Sequence, residues 1–161
     1  MNVCRQPVEG LACKDNRSEL VCTTVADASG AARIRIEFAS WLQQHFPLDD
    51  ERRCDVILAV YEALANAVEF GYLEAPGQGT VECTASYDDD IDILDVNVSD
   101  RGRWRASMRA SASVHDGLRG RGIPLMRVLA DDVRIDTSER GTQVSLTWAR
   151  LLKPSNRPAS G

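Results

Sequence analysis

Between Phe70 and Thr80 the hydrophobic period of this chain changes from about 3.6 to two, and that change limits the fold more than any other feature. Before it, Ile57, Val60, Tyr61, Leu64 and Val68 recur at helical spacing. After it, Val81, Cys83, Ala85 and Tyr87 alternate with Glu82, Thr84 and Ser86, which gives a strand one apolar face. Other elements fall on either side. Leu20 to Val25 is a short strand. Ser29 N-caps a helix to about His45, with Ala32, Ile36, Ala39 and Leu42 facing inward, and Pro47 ends it. Asp49 or Asp50 starts the next helix, which runs to about Phe70 before Gly71.

Asp88-Asp89-Asp90 is a turn, and residues 91–98 form a strand in which Ile93-Leu94 interrupts the alternation, as a bulge or a doubly covered stretch would. Residues 101–119 have no period and the length of a functional or disordered loop. A helix follows from Ile123 to about Ala130, with Pro124 in its first turn. Val133 to Thr137 is a strand, Glu139-Arg140-Gly141 a turn, and Thr142, Val144, Leu146 and Trp148 line one face of a last strand. Helices first, then mostly antiparallel strands with one more helix inserted, make an α+β layer. Residues 1–17 are polar and aperiodic and read as a flexible leader, residues 153–161 read as a disordered tail, and one domain spans 18–152.

Composition removes several functions. A formal net charge of -5 disfavours nucleic-acid binding, whose affinity comes largely from phosphate neutralisation. No apolar run approaches the roughly 18 residues of a membrane span, and no signal-peptide pattern opens the chain, so a cytoplasmic location is expected. Cys4, Cys13, Cys22, Cys54 and Cys83 are odd in number and lack a Cys-x-x-Cys pair, which points to scattered reduced thiols rather than zinc or a disulfide framework. Lys14 and Lys153 are the only lysines, both near the ends. A P-loop or a eukaryote-type protein kinase needs an internal lysine, so neither fits. Any nucleotide phosphates must be balanced by metal, arginine and helix N-terminal amides.

Four short motifs carry candidate chemistry. Glu62 and Asn66 lie four apart, on one helix face; an Asn oxygen suits Mg²⁺, and a carboxylate one turn away can deprotonate a hydroxyl attacking a terminal phosphate. Taken alone, the stripe Asp55, Glu62, Asn66 and Glu69 reads equally as a solvated face. Asp100 ends a strand before Arg101-Gly102, where it can accept a hydrogen bond from an exocyclic amino group or simply start a turn. Gly117 to Gly122 precedes a helix whose N-terminal amides suit an anion, or it is a plain connecting loop. Gly141-Thr142 opens the last strand, where the Thr hydroxyl can bond a base or a water.

In this order the four motifs resemble the ATP-binding domain of gyrase, heat-shock chaperones, sensor histidine kinases and mismatch-repair ATPases (the GHKL superfamily). Within it, Leu58 to Tyr72 and Gly120 to Val133 look most like the bacterial anti-sigma-factor serine/threonine kinases. The resemblance covers nearly all of 18–152. It implies a Bergerat-type two-layer sandwich, with helices on one face of a mixed, mainly antiparallel sheet. It implies ATP and Mg²⁺ as cofactors, with Asn66 on the metal and Glu62 as catalytic base. It further implies that Asp100 reads adenine, Gly102 shapes that turn, Gly120 and Gly122 cradle phosphates, and Thr142 supports the base. Arg119 and Arg121, beside those glycines, align with no family position and read either as contacts to the terminal phosphate or as solvated loop arginines. Family members bind a sigma factor, phosphorylate a serine on an anti-anti-sigma (STAS-type) protein, regulate transcription by this partner switching, and commonly form homodimers.

Departures from the pattern carry their own expectations. The Asp100 turn usually reaches a second glycine; here it reads Asp-Arg-Gly-Arg-Trp104, which implies an altered lid hinge and weaker ATP binding. The usual His-Gly-Tyr reads Phe70-Gly71-Tyr72, which still lets the helix stop at Gly71. Neither His45, beside Pro47, nor His115, in the loop, sits where a sensor histidine kinase carries its phosphoacceptor. Gyrase-like and chaperone ATPases need further domains. The rival expectation is a binding module that keeps the fold and sequesters a sigma factor or other regulator with little or no phosphoryl transfer.

Overall fold

A computed structural model describes residues 10–71, 79–101 and 122–153. In chain order these form β1 (Leu11–Asp15), β2 (Glu19–Val25), α1 (Ala28–His45), α2 (Asp50–Gly71), β3 (Thr80–Asp88), β4 (Ile93–Asp100), α3 (Gly122–Leu129), β5 (Asp132–Ser138) and β6 (Gly141–Ala149). The strands build one six-stranded sheet in the order β1-β2-β3-β4-β6-β5. Every neighbouring pair is antiparallel, so the mainly antiparallel expectation holds at each pairing.

One sheet face is apolar and covered by helices. Leu20, Cys22, Val81, Cys83, Ala85, Leu94, Val96, Val98, Val144, Leu146 and Trp148 are buried there against α1 and α2. The opposite face carries a polar ladder: Ser145 Oγ donates to Asn97 Oδ1 at 2.6 Å, Gln143 Nε2 to the same oxygen at 3.1 Å, and Thr147 Oγ1 to Asp95 Oδ1 at 2.6 Å. A face satisfied in this way needs no second layer. The two-layer arrangement implied by the family resemblance follows from this asymmetry.

Several local expectations are corrected. Asp27, not Ser29, caps α1: its carboxylate accepts from Gly30 N at 2.6 Å, and the helix begins at Ala28. Asp is as good a cap as Ser, and the inward stripe is Ala31, Ile34, Phe38, Trp41 and Leu42, with Ile36 exposed. On α2 the buried stripe is Val56, Ala59, Val60, Ala63, Leu64 and Ala67, while Tyr61 lies outside it. Small alanines let a helix approach a sheet closely, and a count of large apolar residues misses them. β4 starts at Ile93 and pairs with β3 in unbroken register, so the interruption at Ile93-Leu94 is the strand's beginning rather than a bulge.

The flexible leader is also corrected. Leu11–Asp15 is an edge strand on β2. Four of its five residues are exposed, so its hydropathy carries no period; only pairing reveals it. That pairing sets Cys13 opposite Cys22 with Cα atoms 4.2 Å apart, and the two are joined in a disulfide, against the expectation of reduced thiols. Residues 1–9 and 154–161, assigned to the leader and tail, lie outside the described residues. At the other end of the domain, Asp92 adopts a positive φ of 54° and accepts from Leu152 N at 3.0 Å, Lys153 N at 3.2 Å and the Tyr87 hydroxyl at 2.9 Å.

Burial pushes the Cys83 thiol up to about 12, and the Glu82 charge adds to this. Burial, then the hydrogen bond to Asp92, raises Tyr87 to about 12 as well. Both groups are protonated in the fold at neutral pH. Their stabilising contribution is whole below the ordinary thiol value of 9.0 and is lost as pH rises through 12. Urea midpoints should therefore fall above about pH 9, and the double variant Cys83→Ala, Tyr87→Phe should show a shallower decline.

Candidate functional site

Helix α2 divides the stripe that a solvated-face reading would keep together. Glu69 is exposed and Asp55 and Glu62 are half-buried, whereas Asn66 retains only 8% of its surface, between buried Ala63 and Ala67. An amide at that depth is no surface residue. The start of α3 lies against it. A Cβ placed on Gly122 would sit 3.1 Å from both Asn66 Nδ2 and Oδ1 and 3.2 Å from Glu62 Oε2. Glycine here lets the backbone of the α3 first turn abut both side chains. The first N–H groups of a helix lack intrahelical partners, and its N-terminal end carries positive partial charge. Glu62, Asn66 and an anion-attracting helix end thus meet at one place.

A second cluster forms across β4 and β6. Asp100 lies directly opposite Thr142, with 6% and 2% of their surfaces exposed. The Thr142 hydroxyl oxygen is buried and has no hydrogen-bond partner among the described residues. Gly141 holds the strands together at this point. Its φ is +135°, and a Cβ there would fall 1.9 Å from the Asp100 carbonyl oxygen and 2.7 Å from Arg101 Cα. Only glycine permits that approach. The Gly-Thr pair at the start of β6 is therefore more than a turn signal: its glycine fixes the chain that presents Asp100, and its threonine faces the same side as Asp100. Helix α2 packs on both β4 and β6, so the element bearing Glu62 and Asn66 lies against the strands bearing Asp100 and Thr142.

The donor set suits a magnesium nucleotide. Asn66 offers a neutral oxygen and Glu62 a carboxylate, hard donors for an ion that takes few protein ligands and fills its shell with water and phosphate oxygens. Asp100 accepts from an amino group, and the orphaned Thr142 hydroxyl has hydrogen-bonding capacity to spare. Gly122 leaves room that a methyl would take. Of the predicted site residues, the structure brings Glu62, Asn66 and Gly122 together, and separately Asp100 and Thr142. Gly102, Arg119 and Gly120 lie outside the described residues, as do Arg121 and Trp104. Arg35, on α1, lies over the Tyr61 ring of α2 at 5.4 Å to its centroid.

A prediction isolates the α3 contact. Gly122→Ala should change stability by no more than about 1 kcal/mol, since Ala favours a helix and offsets the mild crowding. It should weaken nucleotide binding, because the new methyl presses on Asn66 and Glu62. Melting curves and calorimetric titration with Mg-ATP check the two halves; a parallel loss in both would make the glycine purely structural.

With this geometry established, comparison with known proteins gives a consistent result. Residues 24–148 match the model of the histidine kinase-like ATPase domain. The structure of the RsbU and RsbW domains of Rv1364c from Mycobacterium tuberculosis is 25% identical, with a TM-score of 0.63 over 81% of this chain and 32% of that one. The histidine kinase domain of the blue-light activated histidine kinase from Erythrobacter litoralis EL346 is 22% identical, with a TM-score of 0.50 over 63% of this chain and 48% of that one. A further structure of the same light-activated kinase gives 21% identity and a TM-score of 0.52 over 65% and 32%. The two Erythrobacter matches are likenesses of fold. The chain spans about a third of the mycobacterial chain it matches.

Proposed function

Because this chain belongs to the histidine kinase-like ATPase domain family, we propose that it is a bacterial anti-sigma factor that uses ATP to phosphorylate a serine of an anti-anti-sigma protein. The observation that carries this reading is the meeting of Glu62, Asn66 and the α3 start at Gly122. When bound, Mg²⁺ would neutralise charge on the transferring phosphate. Asn66 would hold it. Glu62 accepts the proton of the incoming serine hydroxyl. Asp100 accepts from the adenine amino group, and Thr142 supports the base. The α3 amides face the phosphates, joined in this proposal by Gly102, Arg119 and Gly120.

The likeness to a mycobacterial chain with RsbU and RsbW domains supports partner switching as the setting. The proposed partners are a sigma factor, a STAS-type anti-anti-sigma protein and a second copy of this chain. No helix among the described residues is long and apolar enough to cross a membrane; the cytoplasm is the proposed location. Trp104, where the family pattern has a glycine, favours a second reading: a module that sequesters its regulator with little transfer.

The test mixes the protein with Mg-ATP and a candidate anti-anti-sigma partner and looks for phosphoserine. The kinase reading expects transfer that requires Mg²⁺, together with an Asn66→Ala variant that loses Mg-ATP affinity at least tenfold. Nucleotide binding without transfer would favour the sequestering module. No nucleotide binding at all would leave the sequestering module as the reading and withdraw the nucleotide roles of Glu62, Asn66, Asp100 and Thr142.

A further inference from the structure

Thr142 does not stand alone in its row. In the β5–β6 register Thr137 lies directly opposite Thr142, which lies directly opposite Asp100. Residues paired across strands point to the same face, so Asp100, Thr142 and Thr137 form one continuous polar line on the helix-facing side of the sheet, parted by Val81 on β3 from a third threonine, the buried Thr24 on β2. Both hydroxyl oxygens in that line are buried, and neither has a hydrogen-bond partner among the described residues. A buried hydroxyl without a partner is costly, and valine would fill the same space without that cost. Two such hydroxyls side by side, next to a buried carboxylate, are poor core chemistry and good ligand chemistry.

We infer that Thr137 is a further base-positioning residue, which with Thr142 holds a water against the purine on the side away from Asp100. This rests on the adenine-site reading of Asp100 and extends it. Adjacent strands lie about 4.8 Å apart, so Thr137 stands about 10 Å from Asp100 and cannot reach the amino group that Asp100 takes. A hydroxyl pair can instead fix a bridging water on a ring nitrogen, and such bridges are nearly as favourable as direct bonds. Two anchors at opposite edges orient a base; one does not. An adenine then presents its amino group to Asp100 and an acceptor to the water. A guanine placed the same way puts its carbonyl oxygen against the carboxylate.

The test compares Thr137→Val, Thr137→Ser and Asp100→Asn by melting and by titration with ATP and GTP. Thr137→Val should melt at the parent temperature or above, because an unpartnered hydroxyl is removed. It should bind ATP roughly fivefold to tenfold more weakly and show a reduced preference for ATP over GTP. Thr137→Ser should restore both. If Asp100→Asn weakens ATP but Thr137→Val leaves affinity and base preference at parent values, this inference fails and the adenine site stands. If Asp100→Asn also binds as the parent does, the adenine-site reading itself fails. A Thr137→Val loss that is equal for ATP and GTP overturns the inference too, since the effect is then not on the base.

Discussion

Glu62→Gln is expected to slow phosphoryl transfer by about 10²–10⁴-fold while changing ATP affinity only slightly. Gln matches Glu in shape but cannot accept the serine proton at neutral pH. Glu62 is half-buried and beside Gly122, so the exchange disturbs packing little. The proposed metal ligand is Asn66, one turn away, so binding and transfer should separate in this variant. The measurement is single-turnover transfer to the partner serine, with ATP affinity from titration. Transfer at the parent rate would remove Glu62 from the chemistry, and a joint loss of affinity and rate would make it a binding residue.

The second large effect is on stability. Gly141→Ala should cost about 2–6 kcal/mol, the sum of backbone strain at positive φ and a severe overlap. The added carbon would lie 1.9 Å from the Asp100 carbonyl oxygen, and backbone cannot rotate away as a side chain can. Gly10 supplies a control, because it also has a positive φ, of 87°, but a Cβ there meets nothing within 4 Å. Gly10→Ala should therefore cost about 1 kcal/mol. The difference between the two urea midpoints measures the overlap. Any Gly141→Ala protein that stays folded should also bind ATP weakly, since β4 must shift at the residue proposed to read adenine. Equal midpoints for both variants would show that β4 and β6 do not approach as closely as described.

Much of this fold is legible in the sequence because local physics writes it there. Val81 to Tyr87 and Thr142 to Trp148 alternate because each has one covered face, and every alternate residue of both stretches is buried. The span of α2 follows equally well, since Asp49 accepts from Arg52 N at 2.7 Å where a cap was expected. The order of the four motifs is likewise enough to suggest the nucleotide-binding family. β1 is different. Its exposed residues have no pattern of their own, and its existence depends on β2 lying alongside. The Cys13–Cys22 disulfide depends on that same register.

What the chain determined by itself is the type and order of the elements that bury a face of their own, and the residues able to do chemistry, because periodicity, capping and side-chain donors are properties of short segments. Tertiary structure decided which of those residues meet. Asn66 changes from a face residue to a buried amide only when α3 arrives with a glycine. Gly141 is confined to glycine only because β4 lies alongside it, and Thr137 comes to face Thr142 only through the pairing of β5 with β6. Contacts between distant segments depend on distances that no local pattern encodes.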